Sequence, residues 1–169
     1  MLIILFGQPG TGKNFTGRVF EEAFGFHFYD ADDDLPPAMR TAIAHKQIAT
    51  DAMRAAHVDN IAARVAALSQ RYPDIVAGGG FFKEWMRLRF LECYPDAQFV
   101  MIETDLVIRS ERLRHRDHHL ADLGYAEKIF SLFEPPRIPH FVLNNNADGD
   151  RSLQAQIATL LATIKTAAP

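Results

Sequence analysis

Residues 2–14 read LIILFGQPGTGKN: five apolar residues, then Gly7-Gln8-Pro9-Gly10-Thr11-Gly12-Lys13, then a run of helical character. A chain that begins this way must feed a strand straight through a glycine loop into a helix. Glycines let the loop turn its backbone N–H groups inward around a polyphosphate, the helix adds the positive end of its dipole, and Lys13 reaches the β and γ phosphates. An ordinary glycine-rich turn between strand and helix needs neither the lysine nor this spacing. Gly7, Pro9, Gly10, Thr11, Gly12 and Lys13 are therefore the expected nucleotide-binding residues. Asn14 stands where such loops carry a Ser or Thr whose hydroxyl binds Mg²⁺. Its amide oxygen is a bulkier and differently placed ligand for the cation.

Downstream, short apolar runs alternate with segments of helical period. Strands are predicted at Leu2–Phe6, Phe26–Tyr29, Ile75–Ala77, Gln98–Ile102 and His140–Leu143. Helical stripes fall on Thr16, Phe20, Ala23 and Phe24, on Val58, Ile61, Val65 and Leu68, and on Leu153, Ile157, Leu160, Leu161 and Ile164. Gly25 should close the first helix and Pro73 end the middle one. Alternation of this kind implies a parallel sheet covered on both faces. With 169 residues, 48% of them apolar, one domain spanning 1–169 is expected.

Ligands of such sheets sit outside the carboxyl ends of the strands. The second predicted strand leads into Asp30-Ala31-Asp32-Asp33-Asp34, followed by Pro36-Pro37. Asp33 and Asp34 suit a helix N-terminus. Asp30 and Asp32 alternate at a strand end, where both carboxylates can point along one face. Negative charge beside a phosphate loop calls for a metal or a substrate hydroxyl, so Asp32 is assigned as the base that orients an acceptor hydroxyl and Asp30 as an outer metal contact. Gly78-Gly79-Gly80 follows the third strand and Asn144-Asn145-Asn146 the fifth. Arg109, Arg112 and Arg116, at i, i+3 and i+7, share a helical face that runs into Asp117-His118-His119. A solvated charged face would look the same, but here the row leads to a polar stretch suited to a cover over phosphates. Arg112 or Arg116 is then placed to neutralise charge on a transferred phosphoryl group. Phe81, Phe82 and Trp85 could stack on a base, although two of the three are expected in the core.

A net charge of -3 leaves no basic footprint for nucleic acid. One cysteine, Cys93, excludes an internal disulfide framework and fits a reducing compartment. The N-terminal apolar run is too short for a membrane span and lacks a basic flank, so a cytoplasmic protein with no membrane partner is expected. His115, His118 and His119, without a nearby cysteine and with Arg116 and Asp117 interposed, make a poor metal set.

Over nearly its whole length the chain resembles the small P-loop metabolite kinases, the gluconate kinase and shikimate kinase relatives of the nucleoside-monophosphate-kinase-like fold. The resemblance rests on the loop through Lys13 (a Walker A motif), the D-x-D at Asp30 and Asp32, and the glycines at 78–80. It also rests on Thr50-Asp51 through Arg54, similar to a T-D-x-x-R stretch of gluconate kinases, on Lys83, on the E-R-L at 111–113 and on the run from Phe130 to Pro135 ending F-E-P. It implies a three-layer α/β/α fold with a five-stranded parallel sheet and a mobile lid at about 115–128. It further implies ATP and Mg²⁺ as cofactors, with phosphoryl transfer to a hydroxyl of a small, anionic metabolite. Arg54, Lys83, Gly79 and Gly80 are implied on the acceptor side with Asp32, Arg112 or Arg116 in the lid, and Asn144 beside adenine, in a monomer or homodimer. Two departures stand out: Asn14, and Lys128-Ile129 where gluconate kinases usually carry Ser-Gln. A nucleoside or nucleotide kinase, or an ATP-binding regulatory module with little turnover, are the alternatives.

Overall fold

A computed structural model of the chain describes residues 1–114, 128–146 and 149–167. Five parallel strands, β1 (Leu2–Phe6), β2 (His27–Asp30), β3 (Ile75–Gly78), β4 (Gln98–Glu103) and β5 (Phe141–Asn144), form one sheet in the order β2-β3-β1-β4-β5. The helices are α1 (Lys13–Phe24), α2 (Pro37–Ala44), α3 (Asp51–Ser69), α4 (Glu84–Cys93), α5 (Leu106–Arg114) and α6 (Arg151–Ala167), with a 3₁₀ turn at Ala31–Asp34. Sheet and flanking helices make the three-layer arrangement expected of the sequence.

The pleat sorts β1 between two cores. Ile4 and Phe6 face one side and pack with Tyr29, Ala77 and Phe99 against Val58, Ile61 and Val65 of α3 and Met86 and Phe90 of α4. Ile3 and Leu5 face the other, with Val76, Val100 and Ile102 against Val19 and Phe20 of α1 and Leu153, Ile157 and Leu160 of α6. Full burial of each such side chain is worth about 1.5–3 kcal/mol, and Ile3, Ile4, Leu5 and Phe6 of β1 are fully buried. A third, smaller cluster of Leu35, Met39, Ile43, Ala49 and Ile129 lies under α2.

Four strand ends differ from expectation in one consistent way. Strands β2 to β5 each extend one residue further, to Asp30, Gly78, Glu103 and Asn144, and these residues pair across the ladder, Asp30 with Gly78 and Glu103 with Asn144. Hydrophobic pattern stops at the last apolar residue, whereas the ladder is backbone chemistry and runs on into the polar residues of the carboxyl edge. Those added residues border the site. The first helix closes on Gly25 (φ 73°), whose N–H reaches Glu21 O, and the middle helix ends at Ser69, before Pro73. At its other end α3 is capped by Thr50, whose Oγ1 accepts from the Met53 N–H at 3.2 Å. Among the described residues no helix is long and apolar enough to cross a membrane.

Candidate functional site

The loop between β1 and α1 is held from several directions. Thr11, buried, donates its hydroxyl to the Gln8 carbonyl at 2.9 Å, while its own carbonyl accepts from Asn145 Nδ2 at 2.8 Å and Thr104 Oγ1 at 3.1 Å. Gly10 (φ 83°) and Gly12 (φ 87°) adopt left-handed conformations that side-chain-bearing residues avoid. Nor is there room for more than hydrogen at either position. A Cβ on Gly10 would lie 2.7 Å from Arg109 Cγ, and one on Gly12 would overlap Asn145 Nδ2. Lys13 opens α1, its Nζ donating to the carbonyls of Gly7 at 3.2 Å and Gln8 at 3.3 Å.

Cavities lie on both sides of this loop. One, of about 310 Å³, is lined by Pro9, Gly10, Gly12, Lys13 and Asn14 from the loop and by Asp30, Asp32, Arg54, Gly79 and Gly80 from the adjoining strand ends and α3. The other, of about 370 Å³, is lined by Gly7, Thr11 and Asn144 together with Glu103, Thr104 and Arg109. The residues expected to bind nucleotide are thus shared between the two. Those expected to handle the acceptor share the first with Lys13 and Asn14, Lys83 excepted.

The acidic cluster is divided by its surroundings. Asp34 accepts from Tyr29 Oη of β2 at 2.8 Å and from Arg64 Nε of α3 at 2.7 Å, contacts that fasten the 3₁₀ turn to strand and helix, and the Arg64 hydrogen bond holds its carboxyl below the usual range. Asp30 faces the cavity, where burial and then the neighbouring Asp32 charge push its pKa up. The strand-alternation geometry expected for Asp30 and Asp32 is corrected. Only Asp30 belongs to β2; Asp32 sits inside the 3₁₀ turn, which Asp30 caps by accepting from the Asp32 N–H at 3.1 Å. Two residues apart in a tight turn, the carboxylates still reach one cavity. Asn14 Nδ2 donates to Asp30 Oδ2, tying α1 to this strand end. Arg40 of α2, which the sequence reading passed over, lines the cavity and donates to the Asp33 carbonyl at 3.2 Å.

On the far wall stand Arg54 and His57, three residues apart on α3 and 1% and 2% exposed. The Arg54 guanidinium carbon lies 5.6 Å from the centroid of Phe82, which also lines the cavity. Phe81 is buried in the core and Trp85 packs against it, so two of the three aromatics at this strand end are structural. Lys83 does not line the cavity. Its Nζ is paired with Asp51 Oδ1 at 2.8 Å.

Arg112 of α5 approaches the loop from above: its Nη1 donates to the Asn145 carbonyl at 3.0 Å and lies 3.6 Å from where a Gly12 Cβ would be. Its helical neighbour Arg109 packs on the Phe130 ring at 4.4 Å and contacts Gln8. Arg116, the three histidines and all of the expected lid at about 115–128 except Lys128 lie outside the described residues. Asn144 is engaged by Gln156 of α6, and the residue that touches the phosphate loop is its neighbour Asn145, 2% exposed. The run of three asparagines was visible in sequence. Which one faced the loop depended on the register of β5.

Among the described residues no three His, Cys, Asp or Glu side chains converge as a metal cluster. The oxygens of Asp30, Asp32 and Asn14 are nevertheless of the kind that suits a hard cation such as Mg²⁺, which relies heavily on water and nucleotide phosphates for its remaining ligands.

No protein-family model matches the chain. It is 25% identical over 171 residues to a Xenopus tropicalis protein named "Probable gluconokinase", covering 90% of this chain and 88% of that one. It is also 25% identical over 170 residues to a shikimate kinase of Ruegeria pomeroyi, covering 97% and 85%. The crystal structure of a gluconokinase from Sinorhizobium meliloti 1021 superposes with a TM-score of 0.79 at 22% identity, covering 99% of this chain and 97% of that one. The fold is that of the P-loop kinases, and these similarities indicate a phosphotransferase acting on a hydroxyl. More narrowly, the chain is similar to the small-metabolite kinases of the gluconate and shikimate kinase group.

Proposed function

We propose that the protein transfers the γ-phosphoryl group of ATP to a hydroxyl of a small anionic polyol acid, with gluconate as the first candidate acceptor. The observation that carries this reading is the 310 Å³ cavity in which Lys13 and Asn14 share walls with two aspartates and a buried arginine. Lys13 and the loop N–H groups hold the β and γ phosphates. Arg54 supplies the positive charge for an acceptor carboxylate, and Gly79 and Gly80 allow the acceptor close approach to the backbone. Asp32 accepts the proton of the attacking hydroxyl as its oxygen bonds to the γ phosphorus, while the bond from that phosphorus to the β,γ-bridging oxygen breaks and ADP leaves. Arg112 stabilises charge on the transferred group. Asp30, and the Asn14 oxygen left over when its amide nitrogen bonds Asp30, would hold Mg²⁺, which supplies neutralisation of phosphate charge.

The test is ATP consumption with Mg²⁺ across D-gluconate, other sugar acids, polyols, shikimate and nucleosides. Phosphorylation of a sugar acid is expected. Turnover confined to nucleosides would replace the acceptor reading with that of a nucleoside kinase, and ATP binding without turnover of any acceptor would leave a regulatory module.

A further inference from the structure

His57 took no part in the reading of the sequence, and its position is hard to explain as packing. It is 2% exposed, and neither ring nitrogen makes a hydrogen bond of good geometry among the described residues, although the Asp34 backbone acts on the ring as a weak partner. Buried polar groups are overwhelmingly hydrogen-bonded, and leaving one unsatisfied costs about 1–3 kcal/mol. A histidine kept only to fill space would be replaced at no loss by an apolar ring. This one lines the cavity that also holds Asp32, Asn14 and Arg54.

Helix geometry fixes the relationship. Arg54 and His57, at i and i+3, lie one above the other on the same side of α3, while Val58, Ile61 and Val65 take up the core-facing stripe. Thr50 caps the helix just ahead of them, so the first two turns are rigidly placed. Other parts of the same wall, Leu35, Met39, Ile43 and Ile129, offer no polar side chain. Burial holds the His57 pKa below the ordinary histidine value, against an opposing influence of Asp34, so that at neutral pH the ring carries one donor and one acceptor.

We propose that His57 is an acceptor-binding residue, its imidazole exchanging hydrogen bonds with a hydroxyl of the molecule whose anionic end meets Arg54. This rests on the phosphoryl-transfer reading of the same cavity but concerns a residue which that reading does not use. A donor–acceptor ring beside a guanidinium distinguishes a hydroxy acid from an acid of similar size without the hydroxyl, because the latter leaves the ring unsatisfied on binding as it is in the free protein.

Two variants and one spectrum test it. His57→Phe keeps a flat ring of similar size without nitrogen; His57→Gln keeps a donor and an acceptor. With the acceptor found in the turnover panel, His57→Phe should raise acceptor KM about tenfold, with ATP KM unchanged, and His57→Gln should stay within about threefold of wild type. Equal acceptor KM in wild type and His57→Phe would overturn the role of His57 while leaving the kinase reading intact. In parallel, the ¹⁵N signals of the His57 ring, assigned by their loss in His57→Gln, are followed in wild type as D-gluconate and then shikimate are added with a non-hydrolysable ATP analogue. A shift supports the proposal even if no acceptor is turned over, the outcome that would sink the kinase reading alone, or if His57→Phe fails to fold. Ring signals unmoved by both probes and by any acceptor turned over in the panel would overturn the role of His57, whereas absence of turnover of every acceptor would overturn the kinase reading.

Discussion

The side-chain amide of Asn14 donates to the carboxylate of Asp30, joining the first turn of α1 to the last residue of β2. At a position where a hydroxyl is usual in such loops, the chain has placed a group that binds a neighbouring aspartate. That aspartate is pushed toward its protonated form by burial and by Asp32, and the Asn14 hydrogen bond acts in the opposite direction.

Asn14→Ser would remove this tether and offer a compact hydroxyl oxygen beside Lys13. If the native site works with compromised metal binding, the substitution should tighten Mg²⁺-dependent ATP binding and raise turnover at limiting Mg²⁺. Initial rate against Mg²⁺ concentration, with one acceptor and both proteins, decides it. A wild type as fast and as metal-saturable as the variant would mean that the Asn14–Asp30 pair is an equally good solution.

Lys13→Ala should weaken ATP binding or turnover severely with little change in melting temperature. The lysine donates to the loop carbonyls of Gly7 and Gln8 and is not a member of the apolar core clusters. Calorimetry of ATP binding to the two proteins measures the effect. Equal affinities would remove the first cavity from consideration as the phosphate site.

Asp32→Asn keeps the size and removes the charge proposed to accept the acceptor proton. Turnover should fall by about 10²-fold or more while nucleotide still raises the melting temperature. If turnover with the true acceptor is unchanged, the proton goes elsewhere, and Asp30 is the next residue to substitute.

The segment at 133–137 is fastened by a buried ion pair. Arg87, fully buried, donates to Glu84 Oε2 at 2.9 Å, to the Phe81 carbonyl at 2.9 Å and to the Glu134 carbonyl at 2.8 Å, and Glu84 also accepts from the Arg137 N–H at 3.2 Å. Burial alone would raise the Glu84 pKa, but the Arg137 and Arg87 hydrogen bonds outweigh it, and the net direction is down. A depressed carboxylate adds stability that is complete above the unfolded glutamate pKa, about 4.3, and lost as pH falls through the lower folded value. Melting temperature should therefore drop below about pH 4 more steeply in wild type than in Glu84→Gln, which starts lower at pH 7. Parallel curves for the two proteins would contradict this. Arg87→Ala, which strands Glu84, should cost about 3–5 kcal/mol at neutral pH by denaturant titration.

What could be read from the chain followed backbone logic. β1, the glycine loop and Lys13 are contiguous, so spacing alone fixed their relation, and the arginine row was correct for Arg109 and Arg112 because both lie on one helix. Residues that meet across the sequence were harder. Asn145 rather than Asn144 touches the loop because β5 pairs one residue further than its apolar run. Asp30 and Asp32 converge through a 3₁₀ turn that hydrophobic periodicity does not signal. Lys83, implied on the acceptor side, is paired with Asp51, a contact that its spacing from the third strand does not signal. Arg87 and His57 are polar side chains in the interior, where composition offers no clue; His57 could have been found only by noticing that it follows Arg54 by one helical turn.

The arrangement of α3 bears on how such a protein could change its task. One flank of the helix is committed to the core through Val58, Ile61 and Val65, and its side facing the cavity carries Arg54 and His57, whereas the phosphate grip is built from β1 and α1. On the proposed reading, the two substrates are read largely by separate stretches of chain. Descendants of a common ancestor could then exchange one acceptor for another by altering two or three letters on a single helical flank, leaving the nucleotide half inherited intact.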